Sequence, residues 1–124
     1  MSVQVNQYIG YGFFLPFKEA RQALVEKFGE EKYEELTDNY YDSAFDSEVK
    51  SINDCSMIED GMNGKYTFFG KVFKKSENYE HLQTCEIPKI GNKIKENVKK
   101  EFEAIFGTNF NEYHAKIMLI THYR

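Results

Sequence analysis

The side chains best suited to metal binding or nucleophilic catalysis in this chain are three histidines and two cysteines. They are His81, His114, His122, Cys55 and Cys85. A zinc site needs several such ligands, and closely spaced pairs reduce the cost of ordering them. Only His81 and Cys85 are close in sequence, and no Cys-x-x-Cys pair is present. The spacing therefore predicts buried thiols and surface imidazoles, with no bound metal and no cofactor.

The sequence motifs of common enzyme classes are absent. A reactive cysteine needs a lowered thiol pKa and a neighbouring base, yet Cys55 follows Asp54 and lies near Glu59. No Gly-x-Ser-x-Gly elbow is present, and the segment 10–12 lacks the third glycine of a dinucleotide-binding turn. We therefore assign no catalytic residues and rank an enzyme below a binding protein.

Acidic residues are concentrated in the segment 30–48. It contains eight acids and one base, a formal charge of −7 against −4 for the whole chain. Tyrosines lie among the acids, and tyrosine is enriched at protein interfaces because it is large and amphipathic. We therefore predict a surface that binds a basic partner protein. Its predicted contact residues are Glu31, Glu34, Glu35, Asp38, Tyr40 and Tyr41. A solvated, solubilising acidic helix is the simpler interpretation, and it stays open.

A group of basic residues lies on the later part of a predicted hairpin. Lysines alternate there with aromatic residues, and exposed aromatic rings on a sheet can stack on single-stranded bases. This alternative nucleic-acid face comprises Lys65, Tyr66, Lys71, Lys74 and Lys75. The segment 65–70 does not match the RNA-recognition pattern, and the net charge of −4 opposes binding to a polyanion. Single-stranded nucleic-acid binding is therefore the second hypothesis.

The elements that must position these residues alternate between strands and helices. Two turn dipeptides, Asp60-Gly61 and Asn63-Gly64, predict a β-hairpin in the middle of the chain. In the acidic segment, Tyr33, Leu36 and Tyr40 lie on one helical stripe. The predicted elements are strand 3–15, helix 17–28 after Pro16, a C-cap at Gly29, helix 30–41, loop 42–51, strands 52–59 and 65–74, a weak strand 81–87, helix 92–106 and strand 115–123.

The strongest helical pattern lies at 92–106. Apolar residues follow one another at helical spacing between Asn92, a good N-cap residue, and Gly107. The stripe comprises Ile94, Val98, Phe102, Ile105 and Phe106. We therefore predict that Phe102 and Ile105 are buried under the sheet.

This order of elements predicts an α+β fold, with a mainly antiparallel sheet of four or five strands and two main helices on one face. The ferredoxin-like βαββαβ arrangement is its simplest form, and the weak strand 81–87 does not fit it. A length of 124 residues predicts a single globular domain over 1–124. Gly10 and Gly12 share one face of the first strand, which close packing, a bulge or a small ligand would explain.

The chain shows no signal for a membrane or for secretion. No run of eighteen apolar residues is present, and the first residues lack the basic and apolar regions of a signal peptide. Two cysteines without a secretion signal suit a reducing compartment. We therefore expect a cytoplasmic protein, and whether it forms a homo-oligomer stays open.

Composition supplies a resemblance to a known group of proteins. Lys, Asn, Ile, Phe and Tyr, all with AT-rich codons, make up 52 of the 124 residues. This composition, the small size and the segment 60–75 (DGMNGKYTFFGKVFKK) resemble uncharacterised small proteins of tailed bacteriophages. The resemblance implies a phage-encoded protein that acts in a bacterial host cell on a host or defence protein. It supplies no activity and no site residues.

Overall fold

The chain forms a four-stranded sheet and three helices across the part that the structure describes. The structure is a computed structural model that describes residues 5–45, 54–76 and 86–123. The elements are β1 (Val5–Pro16), α1 (Phe17–Phe28), α2 (Glu30–Phe45), β2 (Ser56–Glu59), β3 (Tyr66–Lys75), α3 (Asn92–Phe106) and β4 (Lys116–Tyr123). The strand order is β2-β3-β1-β4, and every neighbouring pair is antiparallel. The predicted α+β class with an antiparallel sheet is confirmed.

The connection between β1 and β2 differs from the simplest predicted arrangement. Two helices, α1 and α2, occupy it, so three helices are present instead of two main ones, and the βαββαβ order is not confirmed. The predicted loop 42–51 is wrong over its first residues, because α2 continues to Phe45. The buried Ala44 explains this extension, since it packs against the sheet. The rest of the loop, 46–51, lies outside the described residues.

Two further details near the second half of the chain depart from expectation. Asn92 is the first residue of α3, and Gly91 holds the N-cap position without a side-chain hydrogen bond. The weak strand 81–87 lies outside the described residues over 81–85, and Glu86 and Ile87 are not in a strand. The sheet therefore has four strands in the part of the chain that the structure describes.

A proline and a glycine fix the ends of α1. Pro16 precedes the helix with φ −59°, the angle that its ring imposes. Gly29 ends the helix with φ +83°, and its N–H donates to the carbonyl oxygen of Val25 at 2.8 Å. A positive φ favours glycine because it has no Cβ. The predicted C-cap is therefore confirmed, and the turn lets α2 begin at Glu30 in a new direction.

All three helices contribute side chains to the larger core, which lies on one face of the sheet. The end of α2 also reaches the second core, through Ala44. Phe13 and Phe69 are register partners on adjacent strands, so their side chains point to the same face. The ring of Phe13 stacks on that of Phe102 from α3, with centroids 3.8 Å apart. The buried members of this core include Leu15, Leu24, Tyr33, Tyr40, Met57, Val98 and Phe106.

A second core lies on the opposite face because the sheet folds over itself. Tyr66 and His122 are hydrogen bonded, although their register partners on β1, Pro16 and Asn6, are ten residues apart. A straight strand would separate those partners by about 33 Å. β1 must therefore bend, and its register against β3 shifts between Ile9 and Gly10. The buried members are Tyr8, Ala44, Ile58, Tyr66, Phe68 and Ile120.

Glycines at the bend let β1 and β3 approach closely. A Cβ atom on Gly12 would lie 2.2 Å from the carbonyl oxygen of Phe69, and one on Gly10 would lie 2.6 Å from the Phe68 ring. These neighbours fill the space in front of both glycines. Close packing and a bulge therefore account for Gly10 and Gly12 without a ligand.

None of the helices in the described ranges is both long enough and apolar enough to cross a membrane.

Candidate functional site

The exposed side of α2 carries a continuous acidic face. Successive helical residues are about 100° apart around the axis, so its five acids fall within an arc of about 140°. We call this group the acidic face; it comprises Glu30, Glu31, Glu34, Glu35 and Asp38. All five side chains are exposed. Among the described residues none of them forms an ion pair, because the single ion pair found there joins Lys71 to Asp54.

Tyr40 does not belong to this surface, so the prediction that it is a contact residue is wrong. Its side chain is only 2% exposed, and its ring meets that of Phe69 edge-on with centroids 5.5 Å apart. The hydroxyl donates to a carboxylate oxygen of Glu101 at 2.5 Å, and burial raises its pKa. Tyr40 follows Tyr33 by seven residues, which places both on the side of α2 that faces the core.

Tyr41 lies between the acidic face and the second core. Its side chain is partly buried, and its hydroxyl oxygen is 3.5 Å from Nε2 of His122. Of the six predicted contact residues, the structure therefore brings together four exposed carboxylates with Tyr41 at their margin. The four carboxylates are Glu31, Glu34, Glu35 and Asp38.

The predicted nucleic-acid face does not present aromatic rings to solvent. Tyr66 is 7% exposed and stacks on Phe14 with centroids 5.0 Å apart. Phe68 and Phe69 are fully buried in the two cores. Phe73 is partly buried beneath the Lys71 ammonium group. The aromatic rings on which bases would stack therefore pack against other side chains of the protein.

The lysines of that face are divided between solvent and the fold. Lys65 and Lys74 are exposed. Lys71 contacts the Asp54 carboxylate at 3.3 Å, and Lys75 donates to the carbonyl oxygen of Ala44 at 3.1 Å. Two of the four lysines thus hold structural positions.

His122 is buried, whereas the sequence predicted a surface imidazole. It is 2% exposed on β4 and lies between two tyrosine hydroxyls. Nδ1 is 2.7 Å from the Tyr66 oxygen, and Nε2 is 3.5 Å from the Tyr41 oxygen. We call Tyr41, Tyr66 and His122 the polar cluster. Sequence reasoning missed it because its members come from three elements that meet only when the sheet folds over.

A small pocket joins the polar cluster to the acidic face. Its volume is about 300 Å³. It is lined by Thr37, Asp38, Tyr41, Glu59, Gly61, Met62, His122 and Tyr123. Met62 and Tyr123 are 55% and 43% exposed, so exposed apolar side chains line the same pocket as Asp38. The acidic face therefore has an aromatic and apolar margin.

Glu59 contributes a partly buried carboxyl group to this pocket. The Tyr33 hydroxyl donates to it, but burial outweighs that bond and raises the pKa of Glu59. A raised folded-state pKa means that folding favours the protonated form of Glu59 over its charged form.

Glu59→Gln should therefore change how stability depends on pH. In the wild type, the contribution of Glu59 is fully present below its unfolded pKa and is lost as pH rises through its folded pKa. The glutamine side chain of the variant does not titrate but can still accept from Tyr33. Urea unfolding of both proteins across this pH window should show a shallower decline for the variant, and parallel curves would contradict the prediction.

Cys55 has the properties of a structural thiol. It is fully buried in the larger core. Burial first, and then the nearby Glu101 and Asp54 carboxylates, raise its pKa to about 12. In the described ranges no group of three or more His, Cys, Asp or Glu side chains could hold a metal ion. His81 and Cys85 lie outside the described residues.

Another depression, with a mainly apolar lining, lies between α3 and β1. It has a volume of about 500 Å³ and a lining that includes Tyr11, Phe13, Phe102, Phe110 and Tyr113. Both lysines and glutamates border it, Lys95 and Lys99 against Glu96 and Glu103. This mixture selects no ligand charge, so the acidic face with its aromatic margin is the better candidate site. Comparisons of the chain with protein-family models, with curated proteins and with solved structures each give no match.

Proposed function

We propose that this chain is a small non-enzymatic binding protein whose acidic face docks on a basic surface of a partner protein. The observation that supports the proposal is the exposure of five carboxylates on one side of α2, within an arc of about 140°. Within residues 5–45, 54–76 and 86–123, the acids of this arc have no ion-pair partner. No basic side chain there neutralises their negative charge.

The acidic face would act mainly on the rate of association. A surface of one sign raises the rate of encounter with an oppositely charged surface by about 10- to 1,000-fold at low salt. Exposed charges contribute little to folding, about 0–1 kcal/mol per ion pair. Placing five negative charges side by side costs electrostatic energy, and these charges add little to folding stability. Binding therefore explains the acidic face better than folding does.

The aromatic margin would supply the short-range contacts. Interfaces typically combine a charged rim with a few buried aromatic or apolar side chains that contribute most of the affinity. Tyr41, Met62 and Tyr123 line the pocket beside Asp38 and are partly or largely exposed. A solubilising helix would not need this apolar margin, so the margin favours binding.

The partner we propose is a protein of a bacterial host, either a host enzyme or a defence protein, met in the host cytoplasm. The composition and the segment 60–75, which resemble those of bacteriophage proteins, support this choice. Binding of single-stranded nucleic acid has less support because Tyr66, Phe68 and Phe69 are buried. A heparin column distinguishes the two, since only the nucleic-acid binder should be retained and eluted by salt.

Reversing three charges of the acidic face should slow association without unfolding the protein. The variant combines Glu31→Lys, Glu34→Lys and Glu35→Lys, and the partner is first captured from a bacterial lysate with the wild type. Surface-plasmon measurements at two salt concentrations should show an association rate lower by about tenfold or more at low salt. The difference should shrink at high salt, because charges farther apart than about 8–10 Å are then screened.

A matched control separates this effect from net charge. Glu96, Glu103 and Glu112 are exposed acids outside α2, and changing all three to Lys alters the net charge by the same amount. The control should associate nearly as fast as the wild type. Equal slowing by both triple variants, or by neither, would reduce the acidic face to a solubilising surface.

A further inference from the structure

The pocket that joins the polar cluster to the acidic face contains negative charge without a balancing cation. Asp38 from α2 and Glu59 from the end of β2 both line it, and no lysine or arginine lines it in the part of the chain that the structure describes. Burial is the main cause of the raised pKa of Glu59, and the negative charge of Asp38 adds to it. An added cation would stabilise both carboxylates, because opposite charge favours the ionised form.

The charge of Glu59 is only partly compensated inside the fold. The Tyr33 hydroxyl donates to its carboxylate, and the Cζ atom of Arg21 lies 5.6 Å from the centre of the Tyr33 ring. Burial raises the pKa of Glu59, and these two residues and Thr37 lower it without offsetting that effect. Arg21 forms no ion pair with Glu59 in the described ranges. A carboxylate offers about four acceptor positions, so Glu59 can accept from a further cationic donor.

Aromatic and apolar side chains complete the pocket. Met62 and Tyr123 are 55% and 43% exposed, and Tyr41 is partly buried. The volume of about 300 Å³ is at the lower end of the range for small-molecule sites, which suits one long side chain better than a larger ligand. Two carboxylates that share a pocket with aromatic rings match a guanidinium group. This group is planar, stacks on rings and donates two parallel hydrogen bonds to a carboxylate.

We propose that the pocket binds an arginine side chain of the partner protein, with the guanidinium group at Asp38 and Glu59 and the stem against Met62 and Tyr123. The inference rests on the proposed function, since it names one contact within the basic surface that meets the acidic face. Lysine fits less well, because its ammonium group is a compact, strongly hydrated charge that does not form paired parallel hydrogen bonds. The acidic face then attracts a basic surface, and the pocket selects an arginine within it.

Titration of the wild type with N-acetyl-arginine amide, followed by nuclear magnetic resonance, tests the pocket without the partner. The capped amide represents an arginine within a chain. Signals of Gly61, Met62 and the His122 ring should shift and reach saturation in the millimolar range. The lysine derivative should bind several-fold more weakly. The citrulline derivative, which has nearly the same shape without the charge, should give no saturable shift. Binding of the arginine derivative should also release protons near the folded pKa of Glu59, because the cation favours the charged carboxylate.

Four variants locate the binding. Glu59→Gln should weaken binding of N-acetyl-arginine amide by about tenfold and abolish the proton release, because a charge-assisted hydrogen bond is lost at a partly buried position. Asp38→Asn and Tyr123→Leu, at exposed positions, should each weaken it by about two- to fivefold. Glu112→Gln is the control. Glu112 is an exposed acid that does not line the pocket, so this variant loses the same charge and should bind like the wild type.

Three results would overturn the proposal. They are the absence of a saturable shift with the arginine derivative, binding of the lysine or citrulline derivative as tight as that of arginine, and equal weakening by Glu59→Gln and Glu112→Gln. None of them bears on the acidic face, whose test is the association rate of the variant changed at Glu31, Glu34 and Glu35. Failure of the pocket and failure of the proposed function are therefore distinguishable.

Discussion

Replacing Phe102 with alanine should lower the free energy of unfolding by about 3–5 kcal/mol. Phe102 is 3% exposed, and its ring stacks on Phe13 and on Phe106 with centroids 3.8 Å and 4.9 Å apart. It also meets Phe69 and Phe110 at 5.9 Å and 6.4 Å. Alanine would leave a cavity surrounded by four rings that cannot all move in to fill it. Urea unfolding followed by circular dichroism measures the loss.

Two other alanine variants calibrate this value. Ile105 was predicted to be buried with Phe102, but it is only partly buried at the edge of the core. Ile105→Ala should therefore cost less than Phe102→Ala. Leu119→Ala, at an exposed position, should change stability by no more than about 0.5 kcal/mol. A midpoint for Phe102→Ala equal to that of Leu119→Ala would mean that α3 packs on the sheet in another way.

The sequence predicted the elements well where the signal is local. Asp60-Gly61 and Asn63-Gly64 indicated the turn between β2 and β3, and the structure adds that the Asp60 carboxylate accepts from the backbone N–H groups of Asn63 and Lys65, each at 3.1 Å. The apolar stripe that includes Phe102 predicted α3 with its correct last residue. Such signals lie within a few residues of one another, so they need no knowledge of the tertiary fold.

The polar cluster could not be predicted because it depends on how the sheet bends. His122 and Tyr66 belong to strands that are not neighbours in the sheet. Their contact requires β1 to turn between its two pairing regions, and the sequence shows only two glycines there, Gly10 and Gly12. Those glycines were compatible with a bulge, with close packing or with a ligand, so they did not specify whether or in which direction β1 bends. The burial of His122 follows from this bend and from no signal in β4 itself.

The acidic face could be predicted from the sequence. The prediction that Tyr40 is a contact residue was wrong, although the helical pattern of the segment already indicated that it faces the core. Charged residues can be read directly from the sequence and are rarely buried, so the exposure of Glu31, Glu34 and Glu35 could be predicted from composition alone. Tyr40, however, lies on the stripe that also contains Tyr33, and the helical phase of that stripe points to the core. Predicting Tyr40 as a contact residue ignored that phase.

Replacing Gly12 with alanine should be the most damaging small substitution in β1, costing about 3 kcal/mol or more, at the upper end of the range for overpacking. A Cβ atom there would lie 2.2 Å from the carbonyl oxygen of Phe69 and 2.7 Å from the Cα atom of Gly70. Both neighbours are backbone atoms, so no side-chain rotation relieves the clash. Gly70 faces the same restriction from the other strand, since its Cβ would lie 2.2 Å from the carbonyl oxygen of Tyr11.

The expected result is a lower urea midpoint together with changed packing around the bend. Since β1 and β3 would have to separate, the contact of Tyr66 with His122 should loosen, and nuclear magnetic resonance signals of the His122 ring should shift. Gly61→Ala is the control, because a Cβ on Gly61 meets nothing within 4 Å. It should unfold at nearly the wild-type midpoint. A wild-type urea midpoint for Gly12→Ala would contradict the prediction. It would mean that a methyl group fits between β1 and β3, so that Gly12 does not explain how the sheet bends.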